Sequence, residues 1–247
     1  MSTKSVKITN GKILNYKISA SGYKTIYGSQ LITADTTINK NMIPETDPNG
    51  VYSLGDRIAN MATFVCYFNS INPDTSAQQT YAVFVVDAAY RSNTSRCFPG
   101  SGNYLPLHEY DALTATESAT YNMDVIANNY DISNFPAFKM CQDILLPDLN
   151  ITAKLPNAYE LKQIWGGNRN TTDALAFRQS LDALDPTVSD NTSKSLANWN
   201  SGYNVYMWAS TQYQTDRFSC IRQNGTVTYE YSNTELGAIP VFEIPVE

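Results

Sequence analysis

The sequence predicts an α+β fold in which a small all-β module precedes a larger mixed domain. Three observations carry this reading. The texture changes across "PETDPNG" (44–50), a cluster of the kind that gathers in linkers and wide turns. Two apolar runs rich in β-branched and aromatic residues, "MATFVCYF" (61–68) and "YAVFVVDAAY" (81–90), follow it. Helix start and stop signals lie between about residues 136 and 186, after which strand patterns resume.

Residues 1–48 read as a small β-sandwich or meander module. Short β-branched and aromatic runs alternate there with Asn10-Gly11, Ser21-Gly22 and Gly28, the punctuation of hairpins. Residues 49–247 form the second domain. Its two apolar runs are expected to pair as central strands across the polar loop "NSINPDTSAQQ" (69–79). Within "PAFKMCQDILL", Phe138, Cys141, Ile144 and Leu145 have helical spacing. In "LPNAYELKQIW", Asn157 followed three residues later by Glu160 is a capping-box pattern, with Ala158, Leu161, Ile164 and Trp165 on one helical face. A second helix is expected behind a Thr171-Thr172 cap, with Ala174, Phe177, Leu181 and Leu184 about one turn apart and a stop at Asp185-Pro186. Strands follow in "VYMWAS" (205–210), in "RFSCIRQNGTVTYEY" (217–231) folded by a type I′ turn at Asn224-Gly225, and in "AIPVFEI" (238–244).

Composition narrows the partners. Lys+Arg 17 against Asp+Glu 23 leaves a net charge of −6, which removes the electrostatic attraction that dominates nucleic-acid binding and argues against an anionic membrane surface. The 17 tyrosines offer flat contact area and a hydroxyl at low entropic cost, which suits recognition surfaces and also strand interiors. Cys66, Cys97, Cys141 and Cys220 are widely spaced, contain no CxxC pair and share the chain with one histidine, so the usual zinc spacing is excluded and buried free thiols are expected. The N-terminal "MSTKSVKITNGKILNY" has no apolar signal core, and no apolar run approaches bilayer length, so neither export by a signal peptide nor membrane insertion is expected.

The order "LPNAYELKQIW", a second helix, "YMWASTQY", an Asn-Gly hairpin and a closing "IPVFEI" resembles bacterial and phage domains of the C-type-lectin-like fold. Leu155, Pro156, Glu160, Leu161, Trp208, Ser210, Thr211, Asn224, Gly225, Pro240 and Val241 match that pattern over about residues 51–247, and Ala209 stands where serine is more usual. The resemblance implies that Trp208, Ser210 and Thr211 are internal. It also implies that Trp199, Asn200, Tyr203, Asn204, Tyr206, Gln212, Tyr213, Gln214, Asp216 and Arg217 lie in or beside a ligand face, although a plain solvated, Asn-rich loop accounts for the same residues. Separately, "ISASGYKT" resembles small β-sandwich modules that precede adhesive domains in bacteria and their phages.

The fold that the resemblance implies also houses formylglycine-generating oxidases and the variable proteins of diversity-generating retroelements. Oxidase chemistry needs a reactive thiol pair, and Cys220 has no cysteine near it in sequence. Animal lectins of that fold hold calcium with Glu-Pro-Asn or Gln-Pro-Asp and Trp-Asn-Asp motifs, of which "NPDT" (72–75) and "NWNSG" (198–202) are partial echoes missing carboxylates that a hard cation favours; calcium is left open, and no metal or cofactor is predicted. "LHEYD" brings His108, Glu109 and Asp111 together, with no nucleophile or second acid placed beside them by any motif. The expected function is therefore non-enzymatic binding by a phage head or tail adhesin assembled in the host cytoplasm and displayed on the virion. Its ligand would be a host surface glycan or protein, with residues 1–48 joining other virion proteins and a homo-oligomer, a trimer foremost. Two alternatives are a structural virion protein whose lectin-like domain packs on other subunits, and a bacterial cell-surface binder.

Overall fold

The computed structural model describes residues 12–20, 23–32, 52–71, 76–97, 119–147, 149–199, 206–214 and 216–246. The strands before the first helix are β1 (Lys12–Ala20), β2 (Tyr23–Ile32), β3 (Arg57–Ile58), β4 (Ala62–Ile71), β5 (Gln78–Val86) and β6 (Ser92–Ser95). Next come α1 (Ala119–Asn129), α2 (Pro136–Gln142), β7 (Leu145–Leu146), β8 (Ile151–Thr152), α3 (Ala158–Ile164) and α4 (Thr171–Leu184). The chain closes with β9 (Tyr206–Gln214), β10 (Arg217–Arg222), β11 (Val227–Tyr231), β12 (Leu236–Ala238) and β13 (Val241–Val246). The fold is thus mixed α+β.

In the N-terminal region β1 and β2 form an antiparallel hairpin, bulged between Ile18 and Ala20. Gly28, expected to punctuate the chain, lies inside β2 opposite Tyr16, because ladder hydrogen bonds carry the strand through it. Asn10-Gly11 lies outside the described residues.

The two apolar runs do pair. β4 and β5 are neighbours in a four-stranded antiparallel sheet of order β13-β5-β4-β3. Tyr81 to Val86 are all buried, since both faces of β5 are covered. Phe84 and Val86 join Tyr52, Phe64, Leu146 and Phe242 on one face. Val83 and Val85 pack on the other against Leu161 and Ile164 of α3, Phe177 and Leu181 of α4, and Met207 and Ile221 of the second sheet. That sheet has the order β11-β10-β9-β12-β6, antiparallel except where β12 runs parallel to β9. Its far face packs Trp208, Phe218 and Cys220 against Met123 and Ile126 of α1 and Phe138 and Cys141 of α2.

The capping box of α3 forms: Asn157 Oδ1 accepts from the Glu160 amide and Glu160 Oε2 from the Asn157 amide, each at 2.8 Å. α4 is capped one residue earlier than expected, by Asn170, whose Oδ1 accepts from the Asp173 amide at 2.9 Å. Its buried face also differs. Leu184 is 42% exposed, whereas Arg178 and Asp182 take inward positions beside Phe177 and Leu181. The tertiary environment makes this tolerable. Asp182 accepts from Ser195 Oγ and from the Leu196 and Ala197 amides. Buried Asp185, just past the helix, accepts from the Ala88 amide and Arg91 Nη2. α2 ends at Gln142, so Ile144 and Leu145 do not continue a helical face; Leu145 enters β7 and is exposed.

The β10–β11 connection is not the expected type I′ turn. Gly225 alone of the pair has positive φ, at 83°, and its amide donates to the Arg222 carbonyl at 2.8 Å. The Arg222 amide in turn donates to the Thr226 carbonyl. This is a three-residue loop, a right-handed turn completed by a left-handed glycine, and it keeps the right-handed strand twist equally well.

Candidate binding surface

Trp208 is fully buried on β9 and donates from Nε1 to the Ser95 carbonyl at 2.9 Å. The Ser210 amide donates to the Pro156 carbonyl at 2.7 Å, and Thr211 Oγ1 accepts from the Ala158 amide at 2.9 Å. All three residues therefore pin β9 to its neighbours and to the start of α3.

Around this fixed strand the residues singled out for contact divide. Asn200, Tyr203 and Asn204 lie outside the described residues, as do His108, Glu109, Asp111 and "NPDT" (72–75). Gln214 ends β9. Trp199 is 3% exposed and belongs to the core. A Cβ on Gly237 would come within 2.6 Å of the Trp199 ring, so this indole fills the space over β12 and is packing, not contact surface. Gln212 is likewise buried, at 6% exposure. Tyr206 is half-buried, with the Arg222 guanidinium 5.4 Å from its ring centre.

Tyr213 and Arg217 instead assemble with two residues that sequence reasoning did not select. Between Arg217 and Phe218 the β10 partner steps from Gln214 to Gln212, so Tyr213 is the extra residue of a bulge and is freed from the ladder. Its ring stacks on Tyr229 of β11, centroids 4.0 Å apart and planes 4° from parallel. Ser219 faces Tyr229 across the strand pair, and Arg217 faces Tyr231. The Arg217 guanidinium lies 4.3 Å from the Tyr231 ring centre and 5.2 Å from that of Tyr229, and its Nη2 donates to Tyr231 Oη at 2.7 Å. Asp216 Oδ1 is 4.0 Å from Arg217 Nε. Tyr229 and Tyr231 are 37% and 49% exposed. The available signal for both was the alternation Val227, Tyr229, Tyr231, which puts them on one face of a strand. β11 is an edge strand of its sheet.

All four cysteines are free; Cys97, Cys141 and Cys220 share one core cluster, while Cys66 packs against another. Burial raises every thiol above its ordinary value, Cys220 to about 12, where the Glu230 charge adds to the rise and Arg222 opposes it. Among the described residues no three His, Cys, Asp or Glu side chains come close enough to hold a metal ion, and no helix is long and apolar enough to cross a membrane. Comparison with family models, curated proteins and solved structures found no match to this chain.

Proposed function

We propose that the chain is a non-enzymatic binding protein with a C-type-lectin-like fold in its second domain, displayed on a phage virion as an adhesin for a host surface glycan or protein. The single observation that carries the reading is the ladder of Tyr213, Tyr229, Tyr231 and Arg217. Three aromatic rings and a guanidinium stack on one another beside the edge strand β11, while two of the rings stay substantially exposed. Exposed tyrosines add little to folding, and prepaid order in aromatic and arginine side chains is what a binding surface gains from. The fold assignment draws support from the capping box of α3, the internal Trp208, Ser210 and Thr211, and the closing strand β13 beside β5. Assembly through residues 1–48, as a trimer, belongs to the same proposal.

The test is adsorption of the purified protein to bacterial cells and to immobilised bacterial surface polysaccharides. Tyr229→Ala, Tyr231→Ala and Arg217→Ala are each expected to weaken binding by about 1 to 3 kcal/mol with little change in thermal stability. Should all three remain folded and adsorb like the parent, the adhesin reading fails at this face, and packing of the ladder against another virion subunit becomes the better account.

A further inference from the structure

A second feature sits at the opposite end of the β10–β11 hairpin. The turn residues Gln223 to Thr226, the end of α3 and the start of α4 enclose a cleft of about 240 Å³. Its walls are held in place from both sides. Trp165 Nε1 donates to the Gln223 carbonyl at 2.9 Å, tying the helix end to the turn. α3 ends in a Schellman motif, with the Gly167 amide donating to the Lys162 carbonyl and the Gly166 amide to that of Gln163. Gly166 has φ 114°, and a Cβ there would lie 2.6 Å from that of Ala174, so only glycine lets the loop approach α4 this closely.

Three cations line this cleft, Lys162, Arg169 and Arg178, and no carboxylate does. Among the described residues none of the three makes an ion pair, although the whole chain carries a net charge of −6. Arg178 is 6% exposed; its Nη1 donates to the Trp165 carbonyl at 2.9 Å, its guanidinium lies 4.9 Å from the Trp165 ring centre, and its Nε has no partner. A buried cation without a counterion is costly, and burial lowers the Arg178 pKa from its ordinary value while the charge of Asp182 acts the other way. Asp182 itself is taken up by Ser195 and the amides beyond it. Arg169 is preset: its Nη1 donates to the Gly166 carbonyl at 2.9 Å and its guanidinium rests 4.3 Å from the Phe177 ring centre, with further N–H groups to spare. Thr171 brings the first turn of α4 to the cleft, where backbone N–H groups have no acceptor within the helix. The acid of that turn, Asp173, does not line the cleft and is bonded to Asn170 Nδ2 at 2.7 Å.

We infer that this cleft binds an oxyanion, a carboxylate, sulfate or phosphate group, carried on a molecule no larger than a substituted sugar ring. Guanidinium groups match such oxygens with paired hydrogen bonds, and the amides and hydroxyls of Asn168, Asn224 and Thr226 suit the remaining polar atoms of the carrier. The cleft is below the roughly 300–1,000 Å³ of sites for larger ligands, which sets the size limit. The inference does not depend on the tyrosine ladder.

Titration calorimetry of the full chain at low salt with glucuronate, inorganic phosphate, inorganic sulfate and glucose tests it. Saturable binding of at least one of the three anions, with glucose silent, is expected, and the arm that binds most tightly names the oxyanion. Lys162→Gln and Arg169→Gln, both at solvent-accessible positions, should each weaken that binding about tenfold or more. Tyr229→Ala should leave it unchanged, so that failure of the ladder and failure of this site are read separately. Absence of saturable binding by every anion, equal binding of glucose, or binding undiminished in a folded Lys162→Gln, Arg169→Gln double variant would each overturn the inference.

Discussion

Glu160 offers a sharp test of the core, because its carboxyl is fully buried and shares a hydrogen bond with buried Glu243. Burial, then the charge of Glu243 and that hydrogen bond, hold the Glu160 carboxyl well above the usual carboxylate range, against the opposing bond from the Asn157 amide. It therefore keeps its proton in the folded chain at pH values where the unfolded chain has lost it. The folded state then binds one more proton than the unfolded state, and unfolding free energy falls as pH rises, by about 1.4 kcal/mol per pH unit for one proton. This stability is fully present below about pH 4.3, the ordinary glutamate value, and is lost progressively toward the folded value. Glu160→Gln keeps an oxygen for the Asn157 amide but cannot titrate. Urea unfolding of parent and variant at pH values stepped upward from the ordinary glutamate value of about 4.3 should show the variant gaining on the parent as pH rises, by up to about 1.4 kcal/mol per unit. Glu243→Gln should retain most of the parent slope, because burial is the larger cause. A difference between parent and Glu160→Gln that does not change with pH above about 4.3 would refute the raised carboxyl.

Two further outcomes follow from the core. Trp208→Ala should cost roughly 3 to 5 kcal/mol in urea unfolding, by opening a cavity under β9 and leaving the Ser95 carbonyl without its donor; a loss below about 1 kcal/mol would contradict the buried placement. With its value near 12, the Cys220 thiol is ionised to about one part in ten thousand at pH 8, so iodoacetamide should label the native chain very slowly and all four cysteines at once in denaturant. Mass spectrometry showing prompt native labelling at Cys97, Cys141 or Cys220 would count against the packing of their cluster.

Where a few neighbouring residues decide an element, the sequence by itself determined the outcome. The capping box at Asn157 and Glu160 is closed within four residues, the stop at Asp185-Pro186 is a local clash, and the two apolar runs declare β4 and β5 as paired strands. The tertiary structure alone decided which of several locally equal choices was taken. Arg178 and Asp182 face inward on α4 because carbonyls and amides from distant segments meet them there, which no helical period can announce. Trp199 turned from expected contact to core because Gly237, far along the chain, leaves room for its ring. Tyr213 reached the surface through a bulge set by the pairing of β9 with β10, and its stacking partner lies sixteen residues away on a different strand. The three cations of the cleft are likewise unremarkable in order along the chain; they line one cleft only when helix end, helix start and hairpin turn converge. Local bonds are written in spacing, whereas burial, charge isolation and ring stacking depend on which surfaces the packed chain brings together.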